Sequence, residues 1–215
     1  MPGGTLTKSD VVKTYAAMAP FYDLWATITE SRARRRALEL ARIRDGESVL
    51  EVAVGTGLAF ADILRRNPSG RNEGIDLTEA MLARARLKAE RAAAGSWRLR
   101  VGDAYQLDFA DASFDVLLNC YMFDLLPEDG FGPVLAEFRR VLKPGGRLVL
   151  VNLAPGSGLL SWLWARVHHL NPAWLGGCRG VRLDGVVRGA GLTIESFEQV
   201  WQLGIPSEAI LATRP

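Results

Sequence analysis

The amino-acid sequence predicts an α/β fold built on one doubly wound sheet. Three observations carry that expectation. Short apolar runs rich in β-branched residues alternate with stretches of helical spacing beyond Gly46. A glycine turn, "GTG" at residues 55 to 57, follows the first of these runs, and acids end the second and third, in "EGID" and "VGD". Strands alternating with helices give a parallel sheet covered on both faces and wound by right-handed crossovers, a Rossmann-like arrangement.

Each element follows from its own residues. From Ser9 to about Ala41 the pattern is helical, broken at "APFYD" because Pro20 removes a backbone donor and biases Ala19 away from helical angles. Two N-terminal helices result. The second carries "RARRR" at residues 32 to 36, a run read first as a solvated face and second as a contact for phosphate or an anionic membrane. "SVLEVAV", "RNEGID", "SWRLRV", "SFDVLLN" and "RLVLVNL" read as strands; "LAFADILRR", "LTEAMLARARLKAERAAA" and "FGPVLAEFRRVL" read as helices, with "KPGG" as a turn. "GLLSWLWARVHHL" is a further helix stopped by Asn171 and Pro172, and "RLDGVVRGAG" a short one closed by glycine. "LTIESFEQVWQL" and "SEAILATR" are strands joined by "GIP"; so short a connection forces a hairpin and makes the last strand antiparallel, completing seven strands. The expected organisation is one domain over 1–215, with a helical cap at 1–44 and an inserted helical lid at 154–180.

Composition excludes several classes of function. The 26 basic and 24 acidic residues leave a net charge of +2, too little for a field that holds nucleic acid. "MPGGTLTKSD" lacks the pattern of a secretory signal and no apolar stretch is long enough to span a membrane, so the expected location is the cytoplasm. Cys120 and Cys178 stand far apart without metal spacing, which predicts two reduced thiols and no metal site.

In a doubly wound sheet, ligands settle where the strand order reverses, at the carboxyl ends of the strands. Gly55 and Gly57 allow a ligand close to the main chain, and the helix beginning near Leu58 offers unpaired N–H groups. Asp76 ends the second strand nineteen residues after Gly57, the place from which an acid reaches the hydroxyls of a bound ribose; the alternative is that it only caps the next helix, a task Thr78 also suits. Asp103 ends the third strand, where a carboxylate can accept from an adenine amine while the Ala104 N–H donates to a ring nitrogen. Phe60 occupies the position where a dinucleotide loop has its third glycine, and no lysine follows the turn. The pattern therefore suits an adenosine without phosphate.

"LEVAVGTG", "GIDLTEAML", "VGDAYQLDFADASFDVL" and "EFRRVLKPGGRLVLVN" together resemble the successive motifs of class I S-adenosylmethionine-dependent methyltransferases, most closely their ubiquinone/menaquinone-biosynthesis-like branch. The resemblance covers residues 11 to about 153. It implies S-adenosylmethionine as cofactor, with Glu51, Ala53, Gly55 and Gly57 lining its methionine part, Asp76 on the ribose, and Asp103 with Ala104 on the adenine. Leu77 and Met81 belong to the same implied set, and Asn119 faces the methionine end. "YAAMAPFYD" is similar to the segment in which a tyrosine closes the cofactor site, which makes Tyr15 and Tyr22 candidates.

The expected reaction is methyl transfer to a small, apolar or membrane-associated acceptor of the quinone-precursor kind. N-methylation of a phosphatidylethanolamine-type headgroup is the runner-up; a nicotinamide-dependent oxidoreductase and an inactive cofactor-binding protein are the alternatives of another class. In "NCYMFDLLP", Tyr121, Met122, Phe123 and Asp124 are placed to touch an acceptor. The family often has histidines there and this chain has none, so no base is assigned. Its candidates are Tyr22, Tyr121, Asp124, His168 and His169, of which the adjacent histidines point to different helix faces. The lid segment carries three tryptophans and suits either a hydrophobic acceptor or peripheral contact with the inner membrane surface. Oligomeric state is not legible in the sequence.

Overall fold

A computed structural model describes residues 13, 14, 16, 23, 26–92, 95–155 and 179–215. The expected helix break at Pro20 and the helix at 158–170 lie outside the described residues.

Seven strands form one sheet: β1 (Ser48–Val52), β2 (Arg71–Asp76), β3 (Trp97–Val101), β4 (Phe114–Cys120), β5 (Leu142–Leu153), β6 (Thr193–Gln202) and β7 (Ile205–Thr213), in the order β3-β2-β1-β4-β5-β7-β6. β1 pairs in parallel with β2 and β4, while β7 runs antiparallel to β5 and β6; the β6–β7 turn is Leu203–Gly204 rather than the expected "GIP", because Ile205 and Pro206 already pair with β6. The order reverses between β1 and β4, which puts the switch point beside the glycine turn.

Helices α1 (Ser31–Ala41), α2 (Leu58–Arg66) and α3 (Glu79–Ala92) contribute to the core on one face of the sheet; α4 (Phe131–Val141) and α5 (Asp184–Gly189) contribute to that on the other. α1 is strongly basic yet packs closely because Ala33, Ala37, Leu38 and Ala41 recur at helical spacing and all are buried. α4 does the same with Val134, Leu135, Phe138 and Val141. The central strands are buried on both sides, which explains why Val149, Leu150 and Val151 are all fully covered.

"KPGG" departs from the expected turn. It is an irregular stretch inside β5: Leu142 pairs with Phe114, the register then shifts, and pairing resumes at Val116 with Arg147. The Gly145 N–H donates to the Arg214 carbonyl at 2.7 Å and the Arg214 N–H to the Gly146 carbonyl at 3.0 Å, so the C-terminal strand's neighbour extends pairing through the glycines. Local turn chemistry is right here, but long-range pairing continues past it.

Candidate functional site

The turn after β1 is held in angles that few side chains adopt. Ala53, Gly55 and Gly57 have φ of 59°, 56° and 85°. At Gly57 glycine is required twice over, since a Cβ there would lie 2.8 Å from both Cα and Cβ of Ala85 in α3. Gly57 thus performs the close-packing task of a third glycine. Phe60 is accommodated because β2 offers Gly74: a Cβ on Gly74 would meet the Phe60 ring at 3.1 Å, Val54 at 2.7 Å and Leu99 at 2.5 Å. The bulky residue has exchanged places with a missing one.

Asp76 binds this turn to β2. Its Oδ2 accepts from the Gly55 N–H and its Oδ1 from the Thr78 N–H, each at 2.8 Å. The acid therefore both fixes the turn and supports the entry to α3, and each oxygen keeps lone-pair capacity for a further donor. Burial pushes its pKa up, and the two backbone donors restrain that rise. The main chain at Gly102 reaches the same strand end, its N–H donating to the Asp76 carbonyl at 3.1 Å. Asp103, on the far side, receives the Tyr105 N–H on Oδ1 at 3.0 Å, and Ala104 is buried. Leu77 is half-buried; Met81, only 1% exposed, is part of the core.

A cavity opens beside the turn, lined by Ala53, Gly55 and Glu51 from the β1 side and by Glu30 and Arg34 from the first helical segment. Glu51 is buried, and its Oε2 has no hydrogen-bond partner; the same holds for Arg34 Nε. Burial pushes the Glu51 carboxyl well above the usual range, and Arg34 draws it down. A buried carboxyl and a guanidinium nitrogen thus face one cavity, beside Glu30, with hydrogen-bonding capacity unused. Asn119, at the switch-point end of β4, donates from Nδ2 to the Val52 carbonyl at 2.8 Å while its buried Oδ1 has no partner.

The wall of the turn is tied to the N-terminal segment. Thr56 Oγ1 donates to Asp23, the Lys88 ammonium donates to the Thr56 carbonyl at 2.9 Å, and Lys88 pairs with Asp23 at 2.7 Å. Those contacts hold Asp23's pKa below its ordinary value. Tyr15 and Tyr22 lie outside the described residues, as do His168, His169 and Cys178.

The stretch after β4 divides. Tyr121 lines the cavity, has a φ of 55°, and shares a hydrogen bond of 2.9 Å with Ser207 Oγ on β7. Burial pushes its hydroxyl and the Cys120 thiol well up, so both are held protonated at neutral pH. Met122 and Phe123 belong to the core, Phe123 packing edge-on to Phe131 and Phe138 at 5.4 and 6.0 Å. Asp124 is fully buried, and both its oxygens accept from the Leu153 N–H at 3.1 and 3.2 Å. Burial raises its pKa well above the carboxylate range. In this structure its bonds clamp the loop to the end of β5.

The arginine run also divides, and sequence reasoning missed how. Arg36 forms two bonds of 2.7 Å to Glu198 on β6, Arg34 faces the cavity, and Arg32 and Arg35 are exposed. A signal existed: Arg34, Leu38 and Ala41 share the i, i+4, i+7 stripe, so Arg34 stands at the edge of the buried face. Asp23, Thr56 and Lys88 had no comparable signal, because their contact joins three distant segments. Among the described residues no group of three or more His, Cys, Asp or Glu is placed to hold a metal ion.

Comparison with known proteins follows the same geography. Residues 49–146 match a family model described as a methyltransferase domain. The chain is 35% identical over 145 residues to a demethylmenaquinone methyltransferase of Thermus thermophilus, covering 66% of this chain and 64% of that protein. It is 37% identical over 144 residues to a phosphatidylethanolamine N-methyltransferase of Cereibacter sphaeroides, covering 66% and 67%. It thus spans just under two thirds of the Thermus protein's length. Among solved structures, the [4+2]-cyclase SpnF superposes with a TM-score of 0.78 over 97% of this chain and 96% of that one, at 19% identity. A likeness at that identity is one of fold alone, and a fold does not fix the reaction it hosts.

Proposed function

Because the chain belongs to the class I S-adenosylmethionine-dependent methyltransferases, we propose that it transfers a methyl group to a small, apolar or membrane-associated acceptor of the quinone-precursor type. The observation that supports the cofactor in this reading is the cavity at the glycine turn, where the Glu51 carboxyl and the Arg34 guanidinium present buried, unpartnered polar atoms. An amino-acid moiety carries the matching pair, an ammonium and a carboxylate.

The residues fit the cofactor. Glu51 would accept from its ammonium and Arg34 donate to its carboxylate, while the remaining lone pairs of Asp76 would take the ribose hydroxyls. A Cβ at Gly55 would meet nothing within 4 Å, so the main chain there stands open to a ligand. Asp103 and the Ala104 N–H would hold the adenine edge, and Asn119 Oδ1 would complete the methionine end. When bound, the cofactor supplies a methyl carbon activated by positive sulfur. The chain's part is alignment and exclusion of water, which in well-oriented reactions is worth roughly 7–11 kcal/mol. Tyr121, held protonated and bonded to Ser207, donates or orients rather than removing a proton.

The acceptor would approach from beyond β4 and β5; the lid expected at 154–180 lies outside the described residues except at its two ends. Its described ends support that place. The Ala154 N–H donates to the Pro206 carbonyl at 2.9 Å, the Arg179 N–H to the Asp124 carbonyl at 3.2 Å and the Val181 N–H to the Leu153 carbonyl at 2.9 Å. Both ends are therefore fastened at the carboxyl edge of the sheet.

Calorimetric titration tests the cofactor. S-adenosylhomocysteine should bind and NADH should not; the reverse result ends the reading. For the acceptor, labelled cofactor is incubated with a demethylated naphthoquinol and with phosphatidylethanolamine vesicles. Label in the quinol supports the proposal. Label in the phospholipid supports the second reading, an aminophospholipid N-methyltransferase, which the Cereibacter relative favours.

A further inference from the structure

The tip of the β6–β7 hairpin presents a conformation its residue does not suit. Leu203 and Gly204 have φ of 51° and 77°, the pair of left-handed angles for which Asn-Gly is the usual sequence. Leu203 is nonetheless 69% exposed, the most exposed of the large apolar residues among those described. A branched apolar side chain is held in unfavourable backbone geometry and pointed at solvent, which folding alone does not explain.

Its surroundings extend the same chemistry. Trp201 flanks the tip on one sheet face at 46% exposure. Gln202 turns to the other face, where it donates to the Ile28 carbonyl and accepts from the Arg32 N–H at 2.7 Å; Ile28 is 47% exposed. The Arg32 guanidinium reaches the Trp201 carbonyl at 3.4 Å, and Arg35, one turn along α1, is also exposed. β6 runs parallel to β5, since both oppose β7, so the tip lies at the same edge of the sheet as the glycine turn.

We propose that Leu203, Trp201 and Ile28, with Arg32 and Arg35 behind them, form a wedge that docks on an anionic lipid bilayer and brings the cofactor crevice to face it. Tryptophan and leucine enter the interfacial layer while arginines meet the headgroups. A second protein copy fits less well: three exposed apolar side chains at a hairpin tip make a small patch against the ~1,200–2,000 Å² that a stable interface buries. This inference concerns location, and it stands or falls apart from the methyl acceptor.

Co-sedimentation of the whole chain with phosphatidylglycerol–phosphatidylcholine vesicles tests it, alongside phosphatidylcholine alone. The wild-type protein should bind the anionic vesicles. Leu203→Asn should weaken that binding about tenfold while raising Tm by about 2–4 °C, because Asn suits the turn. Arg32→Gln should lower the preference for anionic lipid about fivefold. S-adenosylhomocysteine affinity should be unchanged in both. Absence of vesicle binding by the wild type overturns the proposal, as does binding that Leu203→Asn leaves intact. So does a dimer in light scattering that Leu203→Asn dissolves, which would assign the tip to a second copy.

Discussion

The two rims of the crevice each hold a buried acid, one ending β2 and the other in the loop after β4, and the acids do different things. On the β1–β3 rim, Asp76 accepts two backbone N–H groups and remains beside a turn with open space at Gly55. On the β4–β5 rim, Asp124 also accepts from the main chain, yet it is sealed beneath the loop it fastens. Their local chemistry is alike. What lies over each decides whether a carboxylate is free to meet a ligand or is spent on the fold.

The sharpest way to break this contrast is at the turn itself. Gly57→Val places a branched side chain against Ala85 in left-handed geometry and should cost about 3 kcal/mol or more, read by urea denaturation, with loss of S-adenosylhomocysteine binding. Gly55→Ala, where the space is open, should cost only about 1–2 kcal/mol. Equal costs would remove the packing role assigned to Gly57.

The acids come next in size. Asp76→Asn should weaken S-adenosylhomocysteine binding about 10- to 100-fold, the range of one or two charge-assisted bonds, with a stability loss near 1 kcal/mol. Asp124→Asn should leave that affinity within about twofold and act on stability with a pH dependence. The native pKa of Asp124 lies above its unfolded value, so its contribution is fully present below the ordinary carboxylate pKa, about 3.8, and is lost as pH rises through the native value. The asparagine variant should gain on the wild type as pH rises. A flat difference across that range would mean that Asp124 is ionised in the fold.

The smallest expected effect sharpens the cavity. Glu51 must be charged to take an ammonium, and burial raises its pKa, so S-adenosylhomocysteine affinity should increase with pH through that raised value. In Glu51→Gln the slope should shrink to the part that Asp76 contributes. Affinity independent of pH in both proteins would place the ammonium elsewhere.

Much of the β1–β3 rim was legible because its signals are local. Gly55, Gly57, Asp76 and Asp103 each stand at the end of a strand that the residue pattern already marked. The β4–β5 rim was less so: Phe123 and Asp124 follow a strand just as directly, but one fills the core between Phe131 and Phe138 and the other meets Leu153. Nothing in "NCYMFDLLP" tells a core phenylalanine from one that lines a pocket.

By itself the sequence determined the strand order's ingredients, the antiparallel final hairpin and the glycine turn, because period, length and turn chemistry act over a few residues. Only the tertiary structure decided which arginine of "RARRR" enters the cavity, that Gly74 makes room for Phe60, and that Thr56 joins Asp23 to Lys88. Those outcomes depend on what stands opposite a side chain. Spacing fixes the direction in which a residue leaves its own helix or strand, whereas the surface that receives it is set by packing between segments far apart in the chain.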